Sequence, residues 1–107
     1  MFTFEKQALE RITFAIKEQF PDQILSVTAF GSAVRGDNTD DSDFDVLVVI
    51  KEKSPELESK IIDTFSDECL SAGVQFDPVI KTERTMRWEK RYHTPFYTNI
   101  EEEGVPL

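Results

Sequence analysis

The run Phe44-Asp45-Val46-Leu47-Val48-Val49-Ile50 constrains the fold of this chain more than any other stretch. It is apolar except for Asp45 and rich in β-branched residues, which reads as a largely buried strand. Two helical patterns flank it. Between Phe4 and Phe20 the residues Phe4, Ala8, Leu9, Ile12, Ala15, Ile16 and Phe20 recur at three- and four-residue steps, an amphipathic helix closed by Pro21. After the strand, Ser54-Pro55-Glu56 combines a capping residue, a proline at the first helical position and an early acid. Leu57, Ile61, Ile62, Phe65, Cys69 and Leu70 follow at helical spacing, and Gly73 stops that second helix. Ile24 to Phe30 reads as a first strand and Val74 to Ile80 as a third, with Pro78 placing the third at an edge or near its end. Strands thus alternate with helices. The class is α+β (α/β), a small mixed β-sheet with helices packed on one face, and at least one strand pair is joined by a crossover.

The tail is less patterned. Thr82 to Tyr92 reads as a charged helix, and Tyr97 to Leu107 as a loosely structured end that packs on the domain or on a partner. Trp88, Tyr92, Phe96 and Tyr97 form either an exposed aromatic patch or, on the simpler reading, cover for the domain's own core. With 107 residues the chain has room for one domain, 1–107, and its hydrophobic fraction of 39% supports a packed interior. The formal charge of −9 repels a phosphate backbone, so direct, sequence-independent nucleic-acid binding is not expected. A bound phosphate then needs a cation beside it. Cys69 is the single cysteine, which rules out an internal disulfide and fits a reducing compartment. No run approaches the ~18 to 20 apolar residues of a membrane span, and Met1-Phe2-Thr3-Phe4-Glu5 lacks the layout of a signal peptide. A cytoplasmic location with no membrane attachment is expected.

The chemistry gathers around Gly31-Ser32-Ala33-Val34-Arg35-Gly36 and Ser42-Asp43-Phe44-Asp45. A strand that ends in Gly-Ser before a helical turn lets backbone approach a ligand, offers N–H groups and adds a hydroxyl, which together cradle a phosphate. Asp43 and Asp45 are two apart, so on a strand their carboxylates project from one face with Cα atoms about 6 to 7 Å apart. Mg²⁺ prefers one or two protein carboxylates completed by water and substrate phosphate, which matches this pair. Asp77 stands in another predominantly apolar strand, where pairing or coordination is the reason to keep an acid. Arg35 is either a phosphate or carboxylate contact or a solvent-exposed turn residue. Singly, each feature is an ordinary turn or a solvated strand start. It is their arrival in order on successive strands that marks a site.

Other constellations are weaker. Asp41, Asp43, Asp45 and Glu52 mimic a calcium-binding EF-hand loop, but Val46 occupies the position where that loop requires glycine. The lone His93 has no second histidine or thiolate near it to make a zinc site.

With these motifs the chain resembles the minimal nucleotidyltransferases of the DNA polymerase β superfamily, from the first helix through Gly31-Ser32, Arg35-Gly36, Asp43-x-Asp45 and Asp77 to Asn99-Ile100-Glu101-Glu102-Glu103-Gly104. The resemblance implies the polymerase β-like nucleotidyltransferase fold. It implies that Asp43, Asp45 and Asp77 are catalytic and ligate two Mg²⁺ ions, and that Gly31 and Ser32, with Arg35 as a further candidate, hold the triphosphate. By the same resemblance AMP moves from ATP to an acceptor hydroxyl. The acceptor it implies is a tyrosine of a small helical HEPN-type toxin, which makes this chain the antitoxin of the pair. The alternative is a non-catalytic antitoxin that neutralises its partner by binding alone. Transfer to a small molecule such as an aminoglycoside suffers from the lack of a second domain to form a pocket.

Overall fold

The computed structural model describes residues 3–31 and 44–107, so Ser32, Arg35 and Asp43 lie outside the described residues. Helix α1 spans Thr3–Gln19 and buries Ala8, Leu9, Ile12, Thr13 and Ile16 along one stripe. The buried Thr13 hydroxyl is satisfied within the helix, donating to the Leu9 carbonyl at 2.8 Å. Strands β1 (Ile24–Phe30) and β2 (Phe44–Ile50) keep the limits their patterns predict. Helix α2 (Pro55–Ala72) begins where Ser54 accepts a hydrogen bond from the Leu57 N–H at 3.2 Å. It ends where Gly73, at φ +68°, returns its own N–H to the Cys69 carbonyl. Both signals were local and both are obeyed.

Four strands form one sheet in the order β3-β2-β1-β4. β1 and β2 run antiparallel, whereas β2 and β3 (Phe76–Thr82) run parallel, joined by α2 as the crossover. Pro78 therefore lies on an edge strand, where its missing N–H breaks no interior ladder. β3 starts two residues later than its sequence pattern suggests. Asp77 is accordingly the second residue of the strand and solvent-exposed rather than central in it.

One face of the sheet carries the main core. Val27 and Ala29 of β1, Val46, Val48 and Ile50 of β2, and Phe76 of β3 pack there with Leu9, Ile12 and Ile16 of α1 and Leu57, Ile61 and Phe65 of α2. Helices on a single face describe these two long elements but not the tail. Helices α3 (Glu83–Arg91) and α4 (Pro95–Glu103) pack on the other face, and the two-residue strand β4 (Val105–Pro106) pairs antiparallel with β1. The physical reason is visible in β2, whose alternate residues Leu47 and Val49 are as buried as the core-facing set. Burying a side chain of this kind contributes about 1.5–3 kcal/mol, and among the described residues the tail supplies the cover. The C-terminal end is thus helical and docked, not loosely structured. Phe96 belongs to that cover and Tyr97 is half-exposed, while Trp88 and Tyr92 are each 58% exposed. Among the described residues no helix is long and apolar enough to cross a membrane.

Candidate active site

Two carboxylates and one glycine meet at one end of the sheet. In the parallel pairing of β2 with β3, Asp45 stands directly opposite Asp77, and in the antiparallel pairing of β1 with β2, Phe30 stands opposite Asp45. Neighbouring strands lie about 4.8 Å apart, so the two acids are side by side. They also share a face. Alternation places Asp45 opposite in sense to the core residues Phe44 and Val46, and Asp77 opposite to the core residue Phe76, so both leave the sheet away from the α1/α2 core. At roughly 5 Å and an effective dielectric between 20 and 80, two negative charges repel by about 1–3 kcal/mol. A cation between them removes that penalty.

Gly31, immediately after Phe30, has φ +100°, a backbone geometry that side-chain-bearing residues rarely adopt. Its missing side chain matters twice. A Cβ placed there would stand 2.6 Å from Oδ2 of Asp45, so only glycine fits against this carboxylate oxygen. The structure thereby brings together three of the six sequence-selected residues: Gly31, Asp45 and Asp77. Ser32, Arg35 and Asp43 fall outside the described residues, as does any geometry between Asp43 and Asp45. Among the described residues no three His, Cys, Asp or Glu side chains gather into a ready cation site. The pair that is present nevertheless fits a hard divalent cation such as Mg²⁺, since it offers oxygen donors from two adjacent strands and no Cβ on Gly31 presses on the Asp45 carboxylate.

A cluster that the sequence did not single out supports this end of the sheet. The Phe96 ring of α4 packs edge-on against Phe30 with centroids 5.5 Å apart, directly beside the Gly31 turn. The Lys81 ammonium lies 3.8 Å from the centre of the same Phe96 ring and binds Glu89 of α3 at 2.5 Å. Glu89 is only 6% exposed, and its other oxygen accepts from the Thr94 hydroxyl at 2.8 Å. Lys81 is four residues along β3 from Asp77, a rise of about 13 Å, and through Glu89 and Phe96 it holds the C-terminal helices. Nothing in the spacing of Lys81, Glu89, Thr94 and Phe96 distinguishes them from a charged helix and its flanks. The signal that was legible is the apolar second face of β2, which demanded a cover.

Similarity to other proteins agrees with this geometry. Two Methanocaldococcus jannaschii proteins, each described as a candidate protein adenylyltransferase, are alike over most of the chain. One is 29% identical, covering 96% of this chain and 97% of its own length, and the other is 35% identical, covering 80% and 81%. A solved structure described as a candidate minimal nucleotidyltransferase superposes with a TM-score of 0.59 at 22% identity, covering 99% of this chain and 97% of its own. A toxin–antitoxin structure with AMP-PNP superposes at 0.55 and 13% identity, covering 91% and 70%. These likenesses establish the fold. Because residues 9–105 match the family model of the nucleotidyltransferase domain, nearly the whole chain, we conclude that the protein is a nucleotidyltransferase and belongs to that family.

Proposed function

We propose that this single domain transfers AMP from ATP, with Mg²⁺, to a hydroxyl of a protein partner. The observation that carries the reading is the register that sets Asp45 beside Asp77, with Gly31 against the Asp45 carboxylate. Asp43, Asp45 and Asp77 hold two Mg²⁺ ions, and Gly31, Ser32 and Arg35 hold the triphosphate. When bound, the ions supply Lewis-acid neutralisation of the triphosphate and lower the pKa of the acceptor hydroxyl. Asp77, exposed at the strand edge, takes the acceptor proton as the acceptor oxygen bonds to the α-phosphorus and the bond to pyrophosphate breaks. The close approach allowed by Gly31 keeps Asp45 aimed while this occurs.

The description of the archaeal relatives as protein adenylyltransferases supports a protein acceptor, and the toxin–antitoxin neighbour with AMP-PNP supports an adenine nucleotide and a toxin partner. On this reading the acceptor is a tyrosine of a helical HEPN-type toxin, and the chain is its antitoxin.

Incubation with Mg²⁺ and ATP labelled on the α-phosphate, with and without the neighbouring helical protein, tests the proposal. Label should appear on the partner, pyrophosphate should be released, and both should vanish in Asp45→Asn and Asp77→Asn. Asp77 is exposed and Asp77→Asn removes one of two neighbouring like charges, so the variant should stay folded, and urea unfolding beside the transfer assay separates lost transfer from unfolding. Neutralisation of the partner that persists unchanged in both variants would replace the transferase reading with that of a masking module.

A further inference from the structure

Helix α3 presents an unusual outward face for a protein of charge −9. Arg84, Arg87, Trp88, Arg91 and Tyr92 follow the i, i+3, i+4, i+7, i+8 pattern of one helical stripe, and all five are exposed. Glu89, on the opposite side, is the residue buried against the sheet. The two rings rest on each other with centroids 5.0 Å apart, and the Arg91 guanidinium lies 5.7 Å from the Tyr92 ring. Arg87 makes an exposed pair with Glu83 at 3.5 Å, which is worth little. Beyond Arg84 and Arg87 the positive surface continues into a cavity of about 420 Å³ that Lys51 and Lys53 also line, with Glu52 the one acid among its described lining residues.

Arginine, tryptophan and tyrosine are the residues that dominate binding energy at protein interfaces, and they seldom stand exposed together without a partner. We propose that this face of α3, extended by Lys51 and Lys53, is a docking surface for an acidic segment of a protein. On the transferase reading above, that protein is the one receiving the nucleotide. The charge of the stripe selects an acidic occupant. A polynucleotide is disfavoured, because the remainder of the chain repels it and because Trp88 and Tyr92 pack against each other at a tilt of 46° instead of standing apart to take bases. The surface is also well placed. α3 begins where β3 ends at Thr82, opposite Ile50, and the chain returns by Phe96 to Phe30, next to the carboxylates. A segment held along α3 therefore spans toward the end of the sheet where the acids lie.

Trp88 is the sole tryptophan, so its emission reports on this surface directly. The probe is an acidic peptide of about twelve residues built from Glu and Leu, compared with a uridine oligonucleotide of the same length. The peptide should shift the emission to shorter wavelength with saturation. Raising the salt should weaken binding, and Arg84→Glu with Arg87→Glu should weaken it at least about tenfold, with circular dichroism confirming an unchanged helix content. Asp77→Asn should bind as the wild type does. No shift with the peptide, an undiminished shift in the double variant, equal or tighter binding of the oligonucleotide, or a shift on concentrating the protein alone would each overturn the proposal. Peptide binding without any nucleotide transfer leaves the surface standing and removes the transferase reading. Transfer to the partner at wild-type kcat/KM in the double variant does the reverse.

Discussion

Replacing Gly31 with alanine separates two effects that the structure keeps apart. The first is backbone strain, because φ +100° disfavours any residue with a Cβ and costs about 1–3 kcal/mol. For a domain of this size that lowers Tm by about 4–8 °C for each kcal/mol. The second is displacement. The new Cβ would lie 2.6 Å from Oδ2 of Asp45, whereas ordinary contact begins at 3.4 Å, so the oxygen must retreat by about 0.8 Å. Rotation of the carboxylate relieves the contact but turns the oxygen away from the position it shares with Asp77. A misplacement near 1 Å costs about 10²-fold in rate, which is the loss expected for Gly31→Ala in pyrophosphate release at saturating ATP. Gly73→Ala is the control. Gly73 also has positive φ, +68°, yet a Cβ there meets nothing within 4 Å, so it should lose about 1–2 kcal/mol in urea unfolding and no activity. Gly31→Ala retaining activity within about threefold, or the two variants losing activity equally, would refute the argument that Gly31 exists to make room for Asp45.

Two further outcomes concern the C-terminal cover. Glu89→Ala leaves Lys81 without its partner in a site where the lysine side chain is only 24% exposed, and should cost about 2–3 kcal/mol in urea unfolding. Glu89→Leu combined with Lys81→Met should recover most of that loss, whereas a single variant within about 0.5 kcal/mol of wild type would show that the pair holds nothing. A hydrogen bond to Glu101, together with desolvation and the Glu101 charge, raises the Tyr97 hydroxyl above its ordinary pKa of 10.0. The neutral phenol is thus the favoured form in the folded chain, so its contribution to stability is complete below pH 10.0 and is lost as the pH climbs through the raised value. In a Tyr92→Phe background, tyrosinate absorbance should titrate above pH 10.0, and Glu101→Gln should bring it back toward that value; an unchanged titration would remove the assigned cause.

What the sequence determined by itself was everything that depends on neighbours along the chain. The limits of β1 and β2, the Ser54 cap and Pro55 start of α2, its stop at Gly73 and the stripe of α1 were legible because capping, glycine conformation and periodicity act within a few residues. The candidate site was half legible in the same way, since Gly31, Asp45 and Asp77 announce themselves by residue type and order. Their meeting was decided only in three dimensions. The pairing of Asp45 with Asp77, 32 residues apart in the chain, depends on the parallel register of β2 and β3, which the α2 crossover sets by how it packs, and no local rule encodes it. The fold of the tail depends in turn on the apolar second face of β2. Its helices are marginal alone, and burial of Leu47, Val49 and the stem of Lys81 gives them a place to dock. For the same reason Glu89 and Phe96 became structural, and the arginine and aromatic side of α3 was left facing solvent.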